Sequence, residues 1–265
     1  MTTYSLGSDP QELQRLDHQA AAIARPTALL LQAAGIEPGM RVLDLGTGLG
    51  HVALQVAELV GPEGSVVAVS LKKKAIAVAR SRARPNVRFE QADVLAFEDP
   101  QPFDAFVARL LLFHLPDPVE LVRRQTQSLS DRGLAILIDF DLGRAGSEPR
   151  VELAERARGW IDAGFRSAGA NPSIGSRLAP ILRDSGFGDI TTIGVQAYFA
   201  PGDPAGPAMI AGVLRSLAPR IVAAGIATGE ELGIEDFEQR LGAALREADA
   251  VLMPPAVVGA WARKP

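Results

Sequence analysis

The sequence predicts an α/β fold: an open, doubly wound, mostly parallel sheet of seven strands, with a helical segment before it and helical insertions near the C-terminus that form a cap. Three observations carry this. Short apolar runs alternate with helix-like segments through residues 38–145, the rhythm of repeated strand–helix–strand units. The runs are apolar along their whole length, as strands buried on both faces require. A glycine cluster, Gly46 to Gly50, stands between the first run and the next helix, at the strand end where such folds bind ligands.

The elements follow in order. Pro10 to Ala24 reads as an amphipathic helix with Leu13, Leu16, Ala20 and Ile23 on one face. Pro26 to Ala34 is a second helix, closed by Gly35 and the turn Pro38-Gly39. Met40 to Leu45, Ser65 to Ser70, Val87 to Gln91, Phe103 to Ala108 and Gly133 to Phe140 are the first five strands. His51 to Val60, Lys72 to Ala83 and Pro118 to Leu129 are the helices between them. Further on, Val151 to Ala168, Ser176 to Ser185, Ala208 to Ala224 and Ile234 to Asp249 read as helices. Ile190 to Ala197 and Ala256 to Ala262 complete the strands, and Pro201 to Pro207 is too rich in Pro and Gly for regular structure.

Composition narrows the function classes. Apolar residues make up 47% and charged residues 22% of 265 residues, an ordinary globular balance. There is no cysteine, which excludes disulfides, thiolate catalysis and Cys-ligated metal centres. The three histidines, His18, His51 and His114, form no metal-ligand pair, so no metal is expected. A net charge of -4 argues against nucleic acid. No apolar run reaches the ~18 residues that span a bilayer, and the polar, acidic N-terminus does not read as a signal peptide. No membrane association and a cytoplasmic location are the expectations.

The segment Asp44-Leu45-Gly46-Thr47-Gly48-Leu49-Gly50 is the central chemical signal. Glycines at a strand–helix turn let the backbone bend sharply and let a ligand approach it closely. By itself the spacing is also satisfied by a tight turn with no ligand.

The signal does not stand alone. VLDLGTGLG resembles the first motif of class I S-adenosylmethionine-dependent methyltransferases. Val87 to Val94, Phe103 to Val107, His114-Leu115-Pro116-Asp117-Pro118 and Leu129 to Leu134 resemble that family's later motifs, in order and at ordinary spacing. The proline-flanked loop is similar to that of the ubiquinone and menaquinone biosynthesis type. The resemblance covers residues 38–141 and extends loosely to Val257–Lys264.

It implies the Rossmann-like methyltransferase fold, S-adenosylmethionine as cofactor and a small-molecule acceptor. One domain is then expected over 1–265: N-terminal helices over 1–37, a cofactor-binding core over 38–145, and an acceptor-side region over 146–265. A homodimer is compatible with this. Gly46, Thr47 and Gly48 would approach the methionyl and ribose parts, with Gly50 completing the loop. Asp44 would order the loop or meet the amino group. Arg109 would meet the methionyl carboxylate, since a fork of donors suits a carboxylate. Asp93 would accept from the adenine amino group, with Val94 beside the ring. The bland alternatives are a turn aspartate at Asp93 and a surface ion pair at Arg109.

One position departs from the family. An acidic residue usually ends the second strand and holds both ribose hydroxyls; here Ser70 and Leu71 stand there, before Lys72-Lys73-Lys74. A serine gives no bidentate carboxylate. Basic residues without the acid are also what dinucleotide folds use to accept a 2′-phosphate. An NADP-dependent oxidoreductase is therefore one alternative, and a non-catalytic cofactor-binding protein is another.

Methyl transfer needs a base only where the acceptor must lose a proton. His114, after the fourth strand, and Asp139, at the end of the fifth, are the candidates, with Asp141 and His18 behind them. His51 reads as a residue that caps or packs the helix after the glycine loop. Trp160, Phe165, Tyr198, Phe199, Met209 and Leu214 are the candidate apolar walls of an acceptor pocket, or plain core.

Overall fold

The computed structural model describes Asp17 and residues 20–265. Most of the expected helix at Pro10 to Ala24, with Leu13, Leu16 and His18, lies outside the described residues. Helix α1 (Ala24–Ala34) buries Thr27, Leu30, Leu31 and Ala34, one stripe at helical spacing, and ends where Gly35 turns left-handed at φ 93°. The central elements follow closely as expected: β1 (Arg41–Leu45), α2 (His51–Val60), β2 (Ser65–Ser70), α3 (Lys73–Ser81), β3 (Val87–Gln91), β4 (Phe103–Arg109), α4 (Pro118–Thr126) and β5 (Leu129–Asp141). Asp117 caps α4 by accepting the Glu120 N–H at 3.0 Å.

Beyond β5 come β6 (Gly146–Glu148), α5 (Glu152–Arg166), α6 (Leu178–Asp184), β7 (Thr191–Val195), α7 (Ala205–Ala223), α8 (Gly229–Leu232), α9 (Phe237–Glu247), β8 (Val251–Met253) and β9 (Ala256–Arg263). Seven strands form one sheet in the order β3-β2-β1-β4-β5-β9-β7. β1 pairs in parallel with β2 and β4, as do β2 with β3 and β4 with β5. The Lys264 N–H, just past β9, bonds the Gly133 carbonyl near the start of β5, so β9 runs against its neighbour.

Three expectations need correction. β5 begins at Leu129 rather than Gly133, because Leu129 pairs with Phe103 before a register shift. The extra residues of that shift include Arg132 at φ 58°, a bulge conformation. The Pro201–Pro207 stretch is partly helical, since α7 starts at Ala205 and a proline is tolerated in a first helical turn. A two-stranded antiparallel ribbon of β6 and β8 and the one-turn α8 were not expected; both are too short to leave a periodic signal.

The described residues divide into two compact units. One runs to Asp139 and adds Ile174–Gly194 and Val257–Pro265; the other comprises Phe140–Ser173 and Val195–Ala256. The first holds nearly all of the large sheet. Its strands β1, β4 and β5 are buried almost end to end, which is why they read as unbroken apolar runs. The second has its own core, where α5 meets α7 and α9 around Trp160, Leu214, Leu217, Phe237 and Leu241. Trp160 and Leu214 are therefore core residues of that unit, and Phe165 and Phe199 pack against them. Tyr198 is exposed and Met209 half-buried. Among the described residues no helix is long and apolar enough to cross a membrane.

Within the glycine turn, Gly50 and Gly48 are constrained differently. A Cβ on Gly50, at φ 87°, would meet the Phe89 ring at 2.9 Å and Ala79 at 3.2 Å, whereas one on Gly48 would meet nothing nearer than 4.0 Å. Gly50→Ala is expected to lower the unfolding free energy by about 2–4 kcal/mol. Gly48→Ala bears only the left-handed backbone cost, about 1–2 kcal/mol. Urea denaturation of the two variants measures the difference.

Candidate functional site

The site stands where β1 lies between β2 and β4. The chain leaves β1 toward β2 and returns on the other side as β4, which is the switch point where open α/β sheets bind ligands. Gly46, Gly48 and Gly50 take φ of 74°, 54° and 87°. These are conformations that side chains rarely adopt. The Thr47 N–H bonds the Val69 carbonyl of β2 at 2.9 Å, and the Gly50 N–H bonds the Thr47 carbonyl at 2.9 Å. The loop is thus pinned before α2 begins. A Cβ on Gly46 would press on Leu111 at 3.0 Å, so the loop and the residues after β4 face each other closely.

Charge is concentrated at the carboxyl ends of these strands. Asp44 is 1% exposed. Burial pushes its carboxyl up to about 6, against the opposing pull of the Thr47 hydroxyl, the Arg109 guanidinium and the Ala53 N–H. The Thr47 hydroxyl lies near it but outside hydrogen-bonding geometry: Asp44 Oδ2 and Thr47 Oγ1 are both buried without a partner among the described residues. Across from them, burial lowers the Arg109 guanidinium to about 10, while Asp44 and Asp139 hold its charge in place. Arg109 remains a cation at neutral pH. It donates from Nη1 to Thr27 Oγ1 at 3.1 Å.

The other side of the loop matches the sequence in register and departs in chemistry. Ser70 does end β2, so the missing acid is not a shift of one residue. Its hydroxyl accepts from the Lys72 N–H at 3.4 Å. Leu71 is 57% exposed, Lys72 is half-buried, and Lys73 and Lys74 are exposed at the start of α3. Asp93 Oδ1 accepts from the Leu95 N–H at 2.9 Å, the turn-forming bond of a short acidic side chain. Val94 is buried, and its carbonyl accepts from Gln125 Nε2 at 2.6 Å.

Among the acid–base candidates, Asp139 is fully buried and accepts the Phe113 N–H at 3.3 Å. His114 ends a 3-10 turn, its ring against Phe113 with centroids 3.6 Å apart. Asp141 lies in the other compact unit and accepts the Gly143 N–H at 3.0 Å. His51 opens α2, half-buried, and pairs with Asp17 at 2.7 Å. Arg82 binds both oxygens of Asp17, at 2.8 and 2.9 Å.

Sequence reasoning passed over Thr27, Asp17 and Arg82. Thr27 left a signal, being the one polar member of a stripe that otherwise reads Leu30, Leu31, Ala34. Asp17 and Arg82 left none, since a distant surface-type pair has no local pattern.

The methyltransferase domain model matches residues 36–163, the segment that contains the glycine loop, Asp93, Arg109, His114 and Asp139. Over residues 36–163 the chain is thus similar to methyltransferase domains. Methyltransferase str2 of Strobilurus tenacellus is 28% identical over 77% of this chain and 72% of its own length. The ubiquinone/menaquinone biosynthesis C-methyltransferase UbiE of Pseudomonas putida is 30% identical over 48% of this chain and 50% of its own. The chain thus spans about half the length of that relative. The phosphoethanolamine N-methyltransferase 2 of Haemonchus contortus, solved with phosphomonomethylethanolamine and S-adenosylhomocysteine, has the same fold. Its TM-score is 0.55 at 19% identity over 90% of this chain and 52% of that one.

The residues present fit S-adenosylmethionine, the cofactor that the resemblance implies. Two buried oxygens, Asp44 Oδ2 and Thr47 Oγ1, have no hydrogen-bond partner among the described residues, and the space beside Gly48 is open. An ammonium and a carboxylate on the ligand are the groups that Asp44 and Arg109 lack.

Asp44 also makes stability depend on pH. Its folded pKa lies above the ordinary value of 3.8, so the folded state binds more protons between the two values. Stability is therefore highest below about pH 4 for this group and falls as pH rises toward 6. Asp44→Asn is expected to be more stable than the parent by about 1–3 kcal/mol at pH 7.5 and by nothing at pH 4. Urea unfolding at both pH values checks this.

Proposed function

We propose that the protein transfers a methyl group from S-adenosylmethionine to a small organic acceptor. The observation that carries this reading is the pair of buried oxygens of Asp44 and Thr47, without partners among the described residues, beside an open glycine bend and the desolvated Arg109. Asp44 would hold the cofactor's ammonium and Arg109 its carboxylate. Gly46, Thr47, Gly48 and Gly50 would let the methionyl and ribose parts reach the backbone. Ser70 and Leu71 would meet the ribose side, and Val94 the adenine ring. Asp93 has Oδ1 committed to Leu95, which leaves its second oxygen for the adenine amino group.

When bound, the cofactor supplies a methyl group already activated on a sulfonium. The protein's own part is to fix the orientation of the amino-acid end and to keep water out. Asp139 holds the Phe113 N–H and attracts Arg109, which suits it to positioning. His114 is then the candidate base for an acceptor that must lose a proton. The small-acceptor reading is supported by the Pseudomonas putida relative, whose name places it in ubiquinone and menaquinone biosynthesis.

Calorimetric titration with S-adenosylmethionine, S-adenosylhomocysteine and NADP(H) tests the cofactor. The adenosyl ligands are expected to bind, and Arg109→Ala to weaken them about 10–100-fold, the loss of a charge-assisted contact. Binding of NADP(H) alone would overturn the reading. At pH 6 the ligand's ammonium is expected to drive a proton off Asp44. About half a proton per site should then appear as buffer-dependent binding heat, declining toward pH 8. Mass-spectrometric screening of phenols, amines and carboxylic acids for a gain of one methyl group identifies the acceptor class.

A further inference from the structure

We infer that Thr27 is a positioning residue for the cofactor's carboxylate, acting through Arg109; the inference rests on the methyltransferase reading above. Thr27 is 0% exposed on the buried stripe of α1. Its hydroxyl donates to the Ile23 carbonyl at 2.7 Å and accepts from Arg109 Nη1 at 3.1 Å. The donation fixes where the hydroxyl hydrogen points, and so fixes the lone pair offered to the guanidinium. A threonine bonding back to the i−4 carbonyl is ordinary in helices. One that also anchors a desolvated arginine 82 residues away is not a local capping device.

The physical need is clear from the charges around Arg109. Asp44 and Asp139 both attract it, and a flexible guanidinium between two carboxylates has several ways to settle. Thr27 takes one of its five N–H donors from the α1 side. The planar fork is thereby turned about a fixed point, and the remaining donors keep one direction. Loss of the hydroxyl would leave the cation in place but free to rotate toward a carboxylate. Affinity for an anionic group of the ligand would fall, while affinity for a ligand without that group would not.

Two ligands separate these effects. S-Adenosylhomocysteine carries the amino acid; 5′-methylthioadenosine keeps the adenosyl thioether and lacks it. Thr27→Val is expected to weaken S-adenosylhomocysteine about tenfold and 5′-methylthioadenosine by less than about twofold. Thr27→Ser is expected to restore the parent value, and Thr27→Val to add nothing in an Arg109→Ala background. Thr27→Ala serves the same comparison if the valine variant does not fold. Equal loss of both ligands, or no loss of either, would mean that Thr27 only satisfies the helix, and overturns the inference while the cofactor reading stands. A parent protein that binds neither ligand overturns the cofactor reading, and this inference with it.

Discussion

Opposite charges held out of water at the ends of β1 and β4 are what the site is organised around. Asp44 and Arg109 are each shifted toward neutrality by burial, the acid up to about 6 and the base down to about 10. Neither is fully compensated by the other. In a collapsible site the two would close into a direct pair, the usual fate of buried opposite charges. Here Arg109 is bonded to Thr27 instead. The strand pairing fixes Asp44 beside Val107, and Arg109 beside Ile138 on the next strand. The pinned glycine loop and the close packing of Leu111 on Gly46 fix what lies beyond them. Asp44 and Arg109 attract each other from neighbouring strands, and under the proposed reading a zwitterionic ligand is the species that meets both.

Two attachments join the N-terminal part of the chain to this arrangement, and they differ in strength. Asp17 binds His51 and Arg82, beside the glycine loop and at the end of α3. Burial lowers the His51 pKa, although Asp17 pulls it upward, so its bond to Asp17 is largely that of a neutral ring at pH 7. All three side chains are about one-third exposed, where ion pairs contribute little. The bond from Arg109 to Thr27 is inside the protein, and its geometry is set by a second bond to Ile23. Of the two, the buried one is the attachment whose loss the site would feel.

The pattern of the sheet was legible because its central strands are buried on both faces. Val42, Leu43, Leu45, Phe106, Val107 and Ile136 are all but inaccessible, and such strands announce themselves as apolar runs. The loop was legible because left-handed φ values at Gly46, Gly48 and Gly50 demand glycine, so conformation is written as residue type. Strand β7 shows the limit: its residues are largely exposed at the sheet edge, so no buried apolar run marks its ends. The unmatched pieces were those whose cause is distant. The ribbon of β6 and β8 joins residues about a hundred positions apart. Arg132, in the bulge of β5, takes a positive φ, and its carbonyl accepts from Arg263, 131 residues on. Thr27 was in plain view within an apolar stripe; what the sequence withheld was its partner.

Ser70 bears on how ligands would be told apart. Its place at the end of β2 removes the possibility that a neighbouring acid takes its role by register, since Leu71 and Lys72 follow. One hydroxyl, already near the Lys72 N–H, is a weak hold on a ribose. The lysines do not replace it: Lys73 and Lys74 point into solvent at the N-terminal end of α3, where the helix dipole disfavours cations. The methionyl end is the reverse, with charged groups in a dry environment that strengthens every contact they make. Under the proposed reading, the affinity for an adenosyl ligand then comes mainly from its amino-acid part. A ligand with the nucleoside and without that part would lose Asp44 and Arg109 together, and a ligand with a phosphorylated ribose would gain no counter-charge that the exposed lysines do not already share with water.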